Sequence, residues 1–198
     1  MSIARDIELL YEVSAFRNVE RVWKQFLITD VANNTEHTFR VIWIALTLGK
    51  YEGKVNLEKI IKIALIHDFA ESRCGDVHYL SRQYAKRNEK MAIEDILEGT
   101  MLHDEFIKIF DEYEKRKTKE SKIVKDADNL DVQIELSEIA YKGNKLSATW
   151  KAHRDRYVYP KLFTKSAKAF WKAFYKANPH DWHLKSPRNR FRAGDWKK

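Results

Sequence analysis

Apolar positions recur along this chain at helical spacing, and the stretch from Ile60 to Asp76, IIKIALIHDFAESRCGD, shows it best. Ile60, Ile63, Ala64, His67 and Glu71 fall on one face of a helix. That helix is expected to start at a cap on Asn56 and to stop at Gly75. Its apolar face runs into polar residues. His67 stands where a core residue belongs, and Asp68 lies about 100° around the helix from it. An aspartate buried there is costly without a partner or a cation.

The other elements follow from the same pattern. Residues 2–15 predict an amphipathic helix with Ile3, Ile7, Leu10 and Tyr11 on one face. The next stretch, FRNVERVWKQFLITDVANNTEH, has no sustained period and carries Arg17, Arg21, Trp23 and Lys24. It reads either as a binding loop or as a surface connection with a packed tryptophan. Asn33, Asn34 and Thr35 offer caps for a helix starting near Glu36. His37, Val41, Ile44, Ala45 and Leu48 form its inward stripe, and Gly49 or Gly53 ends it.

Residues 77–84 read as a loop. Helices are expected over about 85–99, with Met91, Ile93 and Ile96 among the apolar positions, and over about 103–117. A longer one is expected over about 119–143, carrying Ile123, Ala127, Leu130 and Ile134 at helical spacing. It also holds Asp126, Asp128 and Asp131, which are unfavourable in mid-helix, so at least one is expected to turn inward. Tyr157 to Asn178 reads as a final helix with Pro160 in its first turn. Phe163, Ala167, Phe170, Trp171 and Phe174 form its aromatic face, read as core.

Composition sharpens the picture. The chain has 198 residues, 44% hydrophobic and 33% charged, with only six glycines and three prolines. So few chain breakers favour an all-α fold, a single-domain helical bundle. A boundary is expected near residue 178, where the composition shifts to the tail 179–198, HDWHLKSPRNRFRAGDWKK after Pro179. No apolar run approaches the length of a membrane span, and MSIARDIELLYEV mixes charge into its apolar positions unlike a signal peptide. The single cysteine, Cys74, excludes an internal disulfide framework and fits a reducing cytoplasm.

The net charge of +8 favours polyanions, or serves only solubility. In the tail, Lys185, Arg188, Arg190, Arg192, Lys197 and Lys198 interleave with Trp182, Phe191 and Trp196. That pattern allows nucleic-acid binding by stacking and charge. A tail packed over its own domain is the preferred reading.

The dipeptide His-Asp alone means little, since it occurs at His67-Asp68, His103-Asp104 and His180-Asp181. Only the first ends an apolar helix and is followed by Glu71 and then Gly75-Asp76. His103-Asp104 suits a helix start, where Asp104 meets the positive end of the dipole. Collecting the inward polar groups gives His37, His67, Asp68 and one aspartate of the 126–131 cluster, on three helices. Two imidazoles and two carboxylates suit a divalent transition metal. Periodicity does not choose among Asp126, Asp128 and Asp131. CxxC and HExxH zinc patterns, a phosphate-cradling glycine loop and a recognisable Ser-His-Asp motif are all missing.

The segments RVW, NNTEHTFRV, ALIHDFAESRCGD and VKDADNL, in that order, resemble the HD-domain metal-dependent phosphohydrolases, and within them the 5′-deoxynucleotidase branch. The resemblance covers about residues 5–140 and makes residues 1–178 a helical bundle of the HD-domain type. It implies one divalent ion (Co, Mn, Fe, Ni, Zn or Mg) held by His37, His67, Asp68 and Asp128. It gives Glu71 the place of the acidic residue beside the reacting water, and Asp76 that of the contact to the deoxyribose 3′-hydroxyl. Arg21 resembles the phosphate-binding arginine and Trp23 the tryptophan near it. The spacing of those two departs from the family form, which leaves Arg17 as a rival. Lys125 is a second candidate for charge on the phosphoryl oxygens. Val77 and His78 stand where a proline often follows Gly-Asp, so the sugar-side loop is expected to differ.

The activity so implied is hydrolysis of deoxynucleoside 5′-monophosphates by a cytoplasmic homodimer. A deoxynucleoside triphosphate triphosphohydrolase is the alternative with the same metal chemistry. From another class, the basic tail would suit a nucleic-acid-binding or regulatory protein with a structural metal.

Overall fold

The structure, a computed structural model, describes residues 1–188. Eleven α-helices in chain order account for most of them: α1 (Ile3–Ala15), α2 (Lys24–Leu27), α3 (Asn34–Glu52), α4 (Leu57–Ile66), α5 (Glu71–Cys74), α6 (Glu89–Leu97), α7 (His103–Lys115), α8 (Lys119–Tyr141), α9 (Lys145–Tyr157), α10 (Lys165–Phe174) and α11 (Asp181–Leu184). Among the described residues the only extended pairing is an isolated bridge between Glu20 and Asn33. The fold is all-α, and none of these helices is long and apolar enough to cross a membrane.

Helices α3, α4 and α8 form the centre. Val41, Ala45 and Leu48 of α3, Ile60, Ile63 and Ala64 of α4, and Ile123, Ala127 and Leu130 of α8 are wholly buried against one another. Each large aliphatic side chain among them contributes about 1.5–3 kcal/mol by leaving water. The α3–α4 approach is close at Gly49, where a Cβ would lie 2.9 Å from Ile60 Cδ1. A second, smaller cluster joins Leu27 to Val132, Leu136 and Ile139, with Trp23 and Trp150 packed on it. It ties the irregular connection after α1 to α8 and α9.

Several expectations need correction. In α1 it is Leu9 that is buried, while Ile3, Ile7, Leu10 and Tyr11 are exposed. Polar anchors set the rotation of this helix. Arg5 donates from Nε to the Glu98 carbonyl (2.9 Å) and from Nη2 to that of Ile96 (2.8 Å), and Asp6 accepts from Met101 N. The helix expected up to Gly75 breaks after Ile66 and resumes as α5, which Gly75 ends at φ +68°. The helix placed at about 85–99 starts only at Glu89, where the Asn88 side chain caps it, and its Met91 is exposed.

All three aspartates of α8 turn inward. Asp126 accepts from Phe163 N (2.9 Å), Thr164 N (2.7 Å) and the Thr164 hydroxyl (2.7 Å). These bonds hold residues 162–164 extended, so the single helix expected over Tyr157–Asn178 does not form. In its place stand a 3-10 turn at Tyr159–Lys161 containing Pro160, and then α10, capped by Thr164. Phe163 falls outside α10 and is half exposed, whereas Ala167 and Trp171 are core. Helix α9 was not foreseen. Its sequence, KLSATWKAHRDRY, has no apolar stripe, and it is built from an Asn144 cap and contacts through Trp150 and Arg154. Of the basic aromatic tail, Arg190, Phe191, Arg192, Trp196, Lys197 and Lys198 lie outside the described residues, and Trp182 is exposed on α11.

Candidate metal centre and adjoining cleft

Local rules set the first ligand. Asn33 caps α3 through a capping box with Glu36, which places His37 in the first turn on the buried face. His67 ends α4, and Asp68 begins the turn that follows. Asp128 comes from mid-α8. The docking of these helices gathers ligand atoms of His37, His67, Asp68 and Asp128 within 4.8 Å of one another. The two Nε2 atoms are 3.3 Å apart. His37 Nε2 lies 3.4 Å from Asp68 Oδ2 and 3.5 Å from Asp128 Oδ1.

The outer nitrogens are already engaged. His67 Nδ1 lies 2.7 Å from the Ala64 carbonyl, which can only accept, so the hydrogen is on Nδ1. His37 Nδ1 donates to Asp131 Oδ2 at 2.6 Å, and Asp131 also accepts from Arg40. Both Nε2 atoms therefore aim lone pairs at a point that two carboxylates share. Such a donor set fits a divalent cation, and the partners behind the rings are the kind that orient ligating histidines.

Without a cation, a proton serves. Burial and Arg21 oppose protonation of His37, yet hydrogen bonds to Asp131 and Asp68 outweigh them and push it up to about 9. Burial also opposes charge on Asp68 and Asp128, but His67 and His37 hold the first low and Lys125 the second. Glu71, beside them, is pushed up to about 8 by burial and then by Asp68 and Asp76.

The sign for stability follows. His37 and Glu71 both bind a proton more tightly folded than unfolded. Their contribution is present at low pH and lost as pH rises through about 9 and about 8 respectively. The metal-stripped protein should therefore lose on the order of 5 kcal/mol between pH 6 and 9. A divalent ion that displaces the proton should raise Tm more at pH 9 than at pH 6. Melts with and without cobalt at the two pH values measure this, and an equal increment at both would contradict it.

A cleft of about 210 Å³ opens beside the cluster. Glu71, from the first turn of α5, is held there by Asn34 Nδ2 to Oε2 (2.8 Å) and Arg87 Nη1 to Oε1 (2.9 Å). Asp76, just after Gly75, accepts from Val22 N at 3.2 Å. Arg21 is buried, and its Nη1 donates to Asp68 Oδ2 at 3.2 Å. Trp23 also lines the cleft, its ring edge on Trp150 at 5.3 Å. Lys125 Nζ donates to Asp128 Oδ2 at 2.7 Å. The structure thus brings together His37, His67, Asp68, Asp128, Glu71, Asp76, Arg21, Trp23 and Lys125. Arg17 is exposed and lines a separate surface hollow with Lys24 and Asp30, whereas Arg21 lines the cleft.

Sequence reasoning missed several lining or supporting residues. Asn34 passed for a cap, and Arg87 stood inside the helix expected over about 85–99 with no role given to it. Asp131 was left as one of three aspartates. Arg154 and Trp150 sit on α9, a helix with no apolar stripe to announce it.

Comparisons with known proteins bear on the family. A 5′-deoxynucleotidase of Danio rerio is 28% identical over 165 residues, 79% of this chain and 82% of its own length. One of Escherichia coli O127:H6 is 32% identical over 148 residues, 63% of this chain and 73% of its own. A solved protein of Pyrococcus furiosus, described as conserved and hypothetical, superposes with a TM-score of 0.70 at 26% identity, covering 86% of this chain and 99% of that one. The family model for the HD domain matches residues 13–173, a span that includes all four candidate metal donors, and the chain belongs to the HD domain family.

Proposed function

We propose that the protein is a metal-dependent phosphomonoesterase that converts deoxynucleoside 5′-monophosphates to deoxynucleosides and phosphate. One observation carries the reading: Glu71 and Asp76 open into the same cleft as the four-donor cluster and a buried arginine. The 5′-deoxynucleotidase relatives support the substrate class.

His37, His67, Asp68 and Asp128 would hold the ion. When bound, a divalent cation polarises a phosphoryl oxygen and draws the pKa of a water towards neutrality. The chain's own residues do the rest. Glu71, ionised beside the bound cation, accepts the proton of the attacking water as the new P–O bond forms. As the P–O5′ bond breaks, the same carboxyl returns that proton to the leaving oxygen, which departs as the 5′-hydroxyl. Asn34 and Arg87 keep the carboxyl aimed. Arg21 and Lys125 balance charge on the phosphoryl oxygens. Asp76 accepts from the 3′-hydroxyl of the sugar, its second oxygen tied to Val22 N.

Residues 1–178 act as the catalytic domain, and the basic aromatic stretch 179–198 lies outside it in the sequence. An apolar groove of about 230 Å³ between α1, α3, α4 and α6–α7, lined by Leu9, Val13, Phe16, Leu65 and Phe106, supports a homodimer. The single cysteine, Cys74, unpaired, supports a cytoplasmic setting.

Phosphate release from a panel of ribo- and deoxyribonucleoside 5′-monophosphates tests the reading, on metal-stripped protein with cobalt, manganese or magnesium restored. Metal-dependent release from the deoxy substrates, abolished by Asp68→Ala, is expected. Triphosphate released from deoxynucleoside triphosphates, with no phosphate from the monophosphates, would replace it by the triphosphohydrolase alternative.

A further inference from the structure

Of the four arginines and lysines that line the cleft, Arg21 pairs with Asp68 and Lys125 with Asp128, while Arg82 is exposed and donates to the Val77 carbonyl at 2.7 Å. Arg87, behind the cleft, pairs with Glu71. Arg154, from the last turn of α9, also lines the cleft. Its Nη2 donates to the Asn129 carbonyl at 2.7 Å, and its guanidinium lies 5.5 Å from the centre of the Trp171 ring. Its Nε is sealed from solvent and has no hydrogen-bond partner. Among the described residues no carboxylate oxygen lies within 4.0 Å of it; the adjacent Asp155 is committed to Trp171 Nε1 (2.6 Å) and the Tyr175 hydroxyl (2.5 Å). The charges that act on it most are Asp128 and Arg21.

A guanidinium withdrawn from water without a counter-charge is unfavourable. The fold nevertheless fixes this one from two sides, by the Asn129 carbonyl and the Trp171 ring, at the wall of a cleft that ends in the metal donors. Its planar fork matches two oxygens of a tetrahedral oxyanion, which a lysine does not. The same group would be a poor neighbour for a neutral base or a bare hydroxyl.

We propose that Arg154 is a phosphate-binding residue. It grips the non-bridging oxygens of the substrate's phosphate from the α9 side, opposite Arg21, and so makes the site selective for a dianionic phosphate monoester. The assignment rests on the nucleotidase reading for the identity of the substrate, though not for the anion. It also explains why α9 docks where it does, since that helix carries the fork to a site whose other groups nearly all come from α8 or earlier.

The test uses the full-length, metal-loaded protein with Arg154→Met, which keeps the stem against Trp171, with Arg154→Lys, and with Arg156→Met on the exposed side of α9 as control. KM for a deoxynucleoside 5′-monophosphate and the inhibition constant of inorganic phosphate should each rise roughly tenfold in Arg154→Met. The fall in kcat should be smaller, Arg154→Lys should recover part of the loss, and Arg156→Met should match wild type. Independently of turnover, the rise in Tm that inorganic phosphate gives wild type should vanish in Arg154→Met. Unchanged KM, inhibition constant and phosphate-induced Tm rise would overturn the assignment.

Should Arg154→Met fail to fold, modification of wild type by phenylglyoxal, followed at Arg154 by mass spectrometry, decides. Phosphate should slow it, and an unaltered rate would overturn the assignment. A phosphate response that depends on Arg154, in a protein that hydrolyses no monophosphate, would uphold the anion seat and sink the nucleotidase reading.

Discussion

Glu71→Gln should lower kcat by about 10²–10⁴ while KM stays within a few-fold. The carboxyl is buried, bridged by Asn34 and Arg87, and sits where it can take and return one proton. Glutamine keeps the size and can still accept from one of the two donors, but it cannot hold the proton of the attacking water. Steady-state kinetics with cobalt restored, on the best deoxynucleotide of the panel, give the two constants. A kcat within tenfold of wild type would remove Glu71 from proton transfer. The substitution has a second signature that a change of fold would not mimic. Wild-type Glu71 favours the folded state when protonated, and that contribution fades as pH rises towards 8. The metal-stripped glutamine variant should therefore lose less stability than wild type between pH 5 and 8.

Asp131→Ala should weaken metal binding by about 10–100-fold, although Asp131 lies outside the four-donor set. Its carboxylate fixes the hydrogen on His37 Nδ1 and so aims the Nε2 lone pair. It is 1% exposed and also neutralises Arg40, whose next carboxylates are farther away, Glu138 at 3.7 Å and Glu135 at 3.8 Å. Removing one partner of so buried a pair costs about 3–5 kcal/mol. The two nearby glutamates put the expected loss at the lower end. Metal titration by calorimetry and urea unfolding of the metal-stripped protein read the two effects separately. Asp131→Asn, which keeps an acceptor but no charge, should fall between. Metal affinity equal to wild type in both variants would mean that Asp131 only stabilises the fold.

The helices that carry the candidate donors His37 and His67 were legible because each announces itself twice. Asn33 and Asn56 cap α3 and α4, and the apolar stripes of both lead straight to His37 and His67. Asp128 was different. Three aspartates on one helix all face inward, each for its own reason: Asp126 to hold residues 163–164, Asp131 to orient a histidine, Asp128 to face the cluster. Spacing on one helix says which side a residue is on but not which neighbour it will meet, so only the resemblance picked out Asp128. The orientation of α1 failed for a related reason. The most apolar face lost to hydrogen bonds from Arg5 and Asp6 that close only against the end of α6 and the turn after it, more than ninety residues away. Helix α9 escaped because its inward contacts are made by a tryptophan and an arginine rather than an aliphatic stripe.

The histidine–aspartate link between α3 and α8 joins residues 94 apart in the chain. Closing so long a loop comes before any reward from the contact it allows. During folding the adjacent His67 and Asp68 can offer a local, two-point grip on a cation, while Asp128, and the Asp131 that orients His37, arrive only once α8 has docked on α3. Divalent ions should then leave the rate of folding almost untouched and act on the reverse step, slowing the escape from the native state. For this chain the metal would set how long a folded molecule lasts rather than how quickly one is made.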